Sequence, residues 1–297
     1  MSSPSRPLPG HSRIFANAAS DHIVSRRVVL RLVALLPFAS RVKAEARGVP
    51  PGSLPRVFTD FAETWPFFES DFERADDAPD AYFYSEPKAE HHIDDDAIFT
   101  LRRFLGSIVE GDRRSRSVPS QDISPVQDVL DLCSSFESYL PLEWKGRRRV
   151  AGLGMNMDEM RKNPALTEAV VVDLNERVTG ESHLFPYGDN EFDLVVCALS
   201  IDYLTQPLQV MREIGRVLRP GGIVAIAFSD RVFQAKAVAM WTGTGDLDHV
   251  WIVANYMHFS SCFEDEIQIY DLSPRKAGQS SDPLYVVQAV RRSANPT

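Results

Sequence analysis

The sequence predicts an α/β protein: a doubly wound, mostly parallel seven-stranded sheet preceded by an N-terminal helical and aromatic extension. Three observations carry that expectation. From Pro125 onward, short apolar runs alternate with helical stretches, as they do where crossover helices cover both faces of a parallel sheet. The earlier of these runs are rich in Val and Ile, as strands buried on both sides must be. The last two are joined only by the turn SPRKAGQSSDP (273–283), with no helix between them, so they should pair antiparallel.

The expected strands are 127–132, 148–153, 169–173, 193–198, 222–228, 264–270 and 284–290. Between the fourth and fifth, residues 205–218 place Leu208, Met211, Ile214, Val217 and Leu218 at helical spacing. A sheet of this kind binds its ligand beyond the carboxyl ends of the strands.

Upstream, the chain divides by composition. The whole has 297 residues and a formal net charge of −9, from 32 basic and 41 acidic residues. Residues 1–50 hold eight Lys or Arg against two Asp or Glu, so they carry +6 and the remaining 247 carry −15. An acidic body argues against a nucleic-acid backbone as partner, which needs clustered Lys and Arg. Cys133, Cys197 and Cys262 are too few and too scattered for a disulfide framework or a zinc site, and no metal site is expected.

Residues 1–47 read as a targeting segment. The first 20 lack Asp and Glu and carry Ser, Pro and Arg, as organelle transit peptides do. Arg26 and Arg27 then precede the apolar stretch LVALLPFAS (32–40) and an A-x-A pattern at Ala44 and Ala46, which is similar to a twin-arginine signal. The stretch has nine residues where a membrane span needs roughly 20, so no stable span is expected. The combination points to the chloroplast, with stroma and thylakoid lumen both open. A basic amphipathic helix retained in the mature protein is the alternative.

Residues 48–124 form the extension. Between Asp60 and Asp96 stand thirteen acids and two bases, interleaved with Phe61, Trp65, Phe67, Phe68, Phe72, Tyr82, Phe83 and Tyr84. So many rings want burial, so this stretch should pack on the main domain. Asp94 is placed to cap a helix over 95–109 with Ile98, Leu101, Leu105 and Ile108 on one face. His91 and His92 beside Asp94–Asp96 are read as neighbours of that cap rather than as metal ligands. Residues 110–124 read as an exposed loop, and 125–297 as the main domain.

Four stretches of that domain carry a resemblance: DVLDLCSS (128–135) with Asp131, VVVDLNE (170–176) with Asp173, LFPYGDNEFDLVVCALSIDYL (184–204) and EIGRVLRPGG (213–222). In this order and spacing the chain resembles the class I S-adenosylmethionine-dependent methyltransferases of the type 11 group. With LDLCSS, GLGMN and SIDYL together it is similar to a plant and algal methyltransferase-like subgroup. The resemblance implies a Rossmann-like methyltransferase fold over 125–297, S-adenosylmethionine as cofactor, and methyl transfer to a small-molecule acceptor. It places the cofactor at Asp131, Cys133, Ser134, Ser135, Gly154, Asn156, Asp173, Leu174 and Ser200.

Two departures stand out. The family's glycine loop is written here as Cys133, Ser134 and Ser135, small residues that still let backbone approach a ligand. The family also ends its second strand on an acid that holds the ribose hydroxyls. Here that strand ends GLGMN (152–156), with Gly154 at the acid's position and Asn156 either a weaker ribose ligand or a helix cap.

Acceptor-side groups are expected at the ends of strands four and five: Ser200, Asp202 and Tyr203, then Ser229, Asp230 and Arg231. The aromatic stretch after strand five offers Trp241, Asp246, Asp248, His249, Trp251, Tyr256 and His258 as pocket lining. Asp202 or His249 is the expected general base. The alternative is that Trp241 and Trp251 are packing residues, that His249 makes an ordinary structural hydrogen bond, and that methyl transfer here needs no base. A fold retained for binding or regulation without turnover is the second reading. A nicotinamide oxidoreductase is disfavoured, since no G-x-G-x-x-G follows strand one.

Overall fold

A computed structural model describes residues 55–59, 61–88, 90–111, 125–176, 183–274 and 280–293. The expected targeting segment lies outside these residues, as does nearly all of the expected loop at 110–124. Among the described residues no helix is long and apolar enough to cross a membrane.

The sheet has eight strands: β1 (Arg56–Phe58), β2 (Asp128–Leu132), β3 (Arg149–Gly154), β4 (Glu168–Val171), β5 (Phe192–Ala198), β6 (Leu218–Phe228), β7 (Ile267–Asp271) and β8 (Tyr285–Val290). Their order is β1-β7-β8-β6-β5-β2-β3-β4. The block from β6 to β4 is parallel. As the sequence anticipates, β7 and β8 pair antiparallel. The eighth strand, β1, comes from the extension and lies antiparallel on β7.

Both faces of the sheet are covered, which is why its strands are apolar on alternate and intervening positions alike. Leu130, Leu132, Val195, Cys197, Val224 and Ile226 face one core layer, built from helices α4 (Pro207–Val217) and α6 (Asp246–Ser260). Val129, Leu194, Val196 and Ala225 face the other, under helix α2 (Asp95–Val109). Helix α2 starts where Asp94 accepts a hydrogen bond from the Ala97 N–H. Leu101, Leu105 and Ile108 are then fully buried, each worth roughly 1.5–3 kcal/mol.

Helix α6 was not expected. Its 15 residues occupy the long aromatic stretch that the sequence offers as pocket lining. It is apolar around most of its circumference because it is enclosed on several sides, so no single stripe announces it. The rings of the extension close one of those sides. Trp65 and Phe67 pack on Tyr256, Phe67 on Trp251, and Phe61 stacks on His258 at 4.2 Å. The short helices are α1 (Asp80–Phe83), α3 (Met157–Met160) and α5 (Ala239–Thr242).

Candidate cofactor site

Strand order reverses between β2 and β5: β3 and β4 continue to one side, β6 and β8 to the other. The two loops that leave these strands part accordingly. After β2, Cys133 takes left-handed backbone at φ 56° and the Ser134 N–H donates to Leu153 O on β3 at 2.7 Å. After β5, Leu199 takes φ 57° and its N–H donates to Ala227 O on β6 at 2.8 Å. One loop leans toward β3 and the other toward β6, and a cavity opens between them, the crevice such sheets use for ligands.

All nine residues that the sequence assigns to the cofactor line this cavity: Asp131, Cys133, Ser134 and Ser135 after β2, Gly154 and Asn156 after β3, Asp173 and Leu174 after β4, and Ser200 after β5. Their chemistry differs from one to the next. Asp131 is 3% exposed, and its Oδ2 accepts from the Ser134 and Ser138 hydroxyls at 2.5 and 2.6 Å. Burial outweighs those bonds and pushes its pKa up to about 6, so it is anionic at neutral pH. Its second oxygen accepts no hydrogen bond from a described residue, which leaves a negative group in the cavity suited to an ammonium. Ser134 and Ser135 thus turn their hydroxyls to acids of the protein: Ser135 donates to Glu159 at 2.5 Å.

Gly154 can be nothing larger. A β-carbon there would overlap the Ser134 carbonyl oxygen. Asn156 serves as the helix cap, the plainer of its two expected roles: its Oδ1 accepts from the Asp158 and Glu159 N–H groups, and its Nδ2 donates to Tyr84 O at 2.8 Å. With that amide engaged at both ends, Asn156 is a poor ribose ligand. Asp173 Oδ1 accepts from the Asn175 N–H.

The acceptor-side expectations are corrected in several places. Tyr203 and Ser200 line the cavity, whereas Asp202, Ser229, Asp230 and Arg231 do not. The Asp202 carboxyl is 3% exposed, and burial pushes its pKa up to about 8. His249 is also outside the cavity. It lies buried on α6, stacked on Trp241 at 3.9 Å, with Nε2 donating to Trp241 O at 3.0 Å, and burial lowers its pKa. Neither the Asp202 nor the His249 placement fits a general base. Trp241, Trp251, Tyr256 and His258 are packing residues in and around α6, and the Asp248 carboxylate accepts from the Gly245 N–H; none of these lines the cavity.

The sequence missed the cavity's other wall. Asp80, Tyr84, Lys88 and His92 of the extension line it, so the described residues 74–88 and 90–92 form a strap across the site. Asp80 anchors that strap. Both its oxygens accept from Arg74 Nη1 at 2.8 Å, Asn175 Nδ2 donates to it at 2.8 Å, and the Lys236 ammonium stands 3.3 Å away. Among the described residues Lys88 is the one Lys or Arg in the lining, its ammonium 3.3 Å from the centroid of Phe83. His92 faces Phe233 and is held below the ordinary imidazole pKa, chiefly by burial. His91 instead pairs with Glu137 at 3.4 Å. Glu159, at the third position of α3, also reaches the lining. It is not among the residues the sequence singles out.

The donor set suits S-adenosylmethionine: a buried carboxylate faces the cavity, small residues leave the β2 loop, and acids outnumber cations, as a sulfonium and an ammonium require. The family described as "Methyltransferase domain" matches residues 144–226, from just before β3 into β6. An uncharacterised methyltransferase of Synechocystis sp. is 30% identical over 154 residues, which is 50% of this chain and 70% of that protein. Methyltransferase GfsG of Streptomyces halstedii is 32% identical over 111 residues, 36% of this chain and 39% of that protein. A demethylmenaquinone methyltransferase of Bacillus mycoides is 26% identical over 115 residues, 37% and 48% respectively. Several curated relatives are therefore matched over less than half of their own length. The crystal structure of an S-adenosylmethionine-dependent methyltransferase from Mesorhizobium loti aligns at 15% identity and a TM-score of 0.38, over 58% of this chain and 94% of that one. The chain belongs to the class I S-adenosylmethionine-dependent methyltransferases of the type 11 group.

Proposed function

We propose that the protein transfers a methyl group from S-adenosylmethionine to a small-molecule acceptor that enters between the strap and the end of β5. One observation carries the reading: the buried Asp131 carboxylate, one of whose oxygens accepts no hydrogen bond from a described residue, faces a cavity at the point where strand order reverses.

The cofactor supplies an electrophilic methyl on a sulfonium. The chain's own residues bind and orient. Asp131 would hold the α-ammonium, Asp173 and Leu174 would flank the adenosine end, and Tyr84, Tyr203 and Phe233 would wall the acceptor side with planar apolar surface, all six lining the cavity. Such a site works chiefly by alignment and by excluding water. The composition of residues 1–47 supports the chloroplast as its location.

The test is calorimetric titration of S-adenosylmethionine and S-adenosylhomocysteine into the full chain, with Asp131→Asn as control. Saturable binding, weakened at least tenfold in the control, is the expected result. No binding of either compound at millimolar concentration overturns the reading. A second reading, cofactor binding without turnover, draws on the strap, which places Tyr84 and Lys88 where an acceptor would stand. It predicts binding without conversion of S-adenosylmethionine in any acceptor screen.

A further inference from the structure

The end of β3 presents a chemical gap. A ribose offers two neighbouring hydroxyls, best held by one carboxylate with free lone pairs, and nucleotide-binding sheets usually supply an acid at this strand end. Here the strand end cannot carry any side chain. The loop after β2 folds so closely over β3 that the Ser134 carbonyl oxygen takes the space of a Gly154 β-carbon. Asn156 two residues on is committed at both ends of its amide. Asp80 is held by Arg74, Asn175 and Lys236.

Resting on the cofactor reading above, we infer that Glu159 of α3 supplies the carboxylate that holds the ribose hydroxyls. Side chains in a helix lean toward its N-terminus, so Glu159 returns from the first turn of α3 toward the end of β3. It is 8% exposed, touches Ser135 and lines the same cavity as Gly154. Two hydrogen bonds fix its position: Oε1 accepts from the Lys88 N–H and Oε2 from the Ser135 hydroxyl, each at 2.5 Å. A carboxylate has about four lone-pair directions, so one on each oxygen remains for a diol. The same two bonds tie the carboxylate to the β2 loop on one side and to the strap on the other. The site is therefore held in place before any ligand arrives.

The experiment compares binding of S-adenosylhomocysteine with binding of its 2′-deoxyribose analogue by calorimetry, using the full chain. The unsubstituted protein is expected to prefer the ribose form at least tenfold. Glu159→Gln is expected to bind both forms with nearly equal, weakened affinity. Glu159→Asp, which keeps the charge but withdraws it by one methylene, is expected to lose most of the preference and guards against poor folding of the first variant. Equal binding of the two compounds by the unsubstituted protein overturns the assignment, and so does a full preference in either variant. Absence of any S-adenosylhomocysteine binding to the unsubstituted protein overturns the cofactor reading itself, an outcome visible before any substitution is made.

Discussion

The Ser134 carbonyl oxygen stands where a β-carbon on Gly154 would have to go. The two residues belong to neighbouring parallel strand ends, and the Ser134 N–H donates to Leu153 O at 2.7 Å, so the loop cannot yield without losing that bond. Restoring the family's acid by Gly154→Asp should therefore do harm. Forcing a side chain against backbone costs about 1–3 kcal/mol, and the loop that moves to make room is the one carrying Ser134 and Ser135. The expected outcome is a lower unfolding midpoint together with weaker S-adenosylhomocysteine binding. A Gly154→Asp protein that melts normally and binds more tightly would remove the steric account.

Cys133 is strained in the opposite sense. It holds φ 56° with a full side chain, in a loop where the family uses glycine. Left-handed backbone costs a non-glycine residue about 1–2 kcal/mol, while glycine gives up some of that gain through a freer unfolded chain. Cys133→Gly should consequently leave stability within about 1 kcal/mol and leave cofactor affinity intact. Cys133→Val, β-branched at the same φ, should destabilise clearly. Urea unfolding of the two variants reads the difference, and equal effects would show that side-chain volume, not backbone conformation, governs the position.

These two positions also show what a sequence can and cannot reveal. The cavity residues at the ends of β2, β3, β4 and β5 were legible because topology alone puts ligand-facing residues there, and a strand end is a local feature. The strap was not. Asp80 meets Asn175 across 95 positions of chain, and Lys88 meets Glu159 across 71, contacts that leave no trace in any short window. Helix α6 failed for another reason. Rings from Trp65 and Phe67 enclose it from the side a surface helix would expose, so its apolar residues lose their period. His249 looked available in sequence because nothing there shows that it is stacked under Trp241.

The strap's anchor is an ion cluster that is mostly hidden from water. Lys236 is 1% exposed, and beyond Asp80 it reaches Ala78 O at 2.7 Å and the Asp76 carboxylate at 3.2 Å. Taking one partner from such a cluster strands the others, at a cost of about 3–5 kcal/mol. Asp80→Asn should show a loss of that order in urea unfolding, with faster proteolytic nicking within residues 61–92. The contrast is Asp77, 79% exposed and 3.8 Å from Arg74, where Asp77→Ala should change stability by less than about 1 kcal/mol. Similar losses for both variants would deny the anchor its role.

The pH dependence of stability should carry the mark of two buried acids. Asp131 is pushed up to about 6 and Asp202 to about 8, both chiefly by burial, and Asp202 Oδ2 has no hydrogen-bond partner among the described residues. An acid whose pKa is raised by folding keeps its proton in the native state after the unfolded chain has released it. Its contribution is therefore complete below pH about 4 and is lost as pH rises through the folded value. Between pH 7 and 8 Asp131 is already largely ionised in both states, so Asp202 is the one of the pair that still contributes, with a slope approaching about 1.4 kcal/mol per pH unit downward. His92 and His249, lowered by burial, act in the opposite direction, but only below pH about 6.5, where the unfolded imidazole charges. Urea unfolding of the unsubstituted chain should accordingly weaken from pH 7 to pH 9. Asp202→Asn should flatten that decline, so that the two proteins differ little at pH about 4 and the variant is the more stable at pH 9. Two curves running parallel across that range would mean that Asp202 ionises without penalty, and that its carboxyl reaches water or a partner when charged.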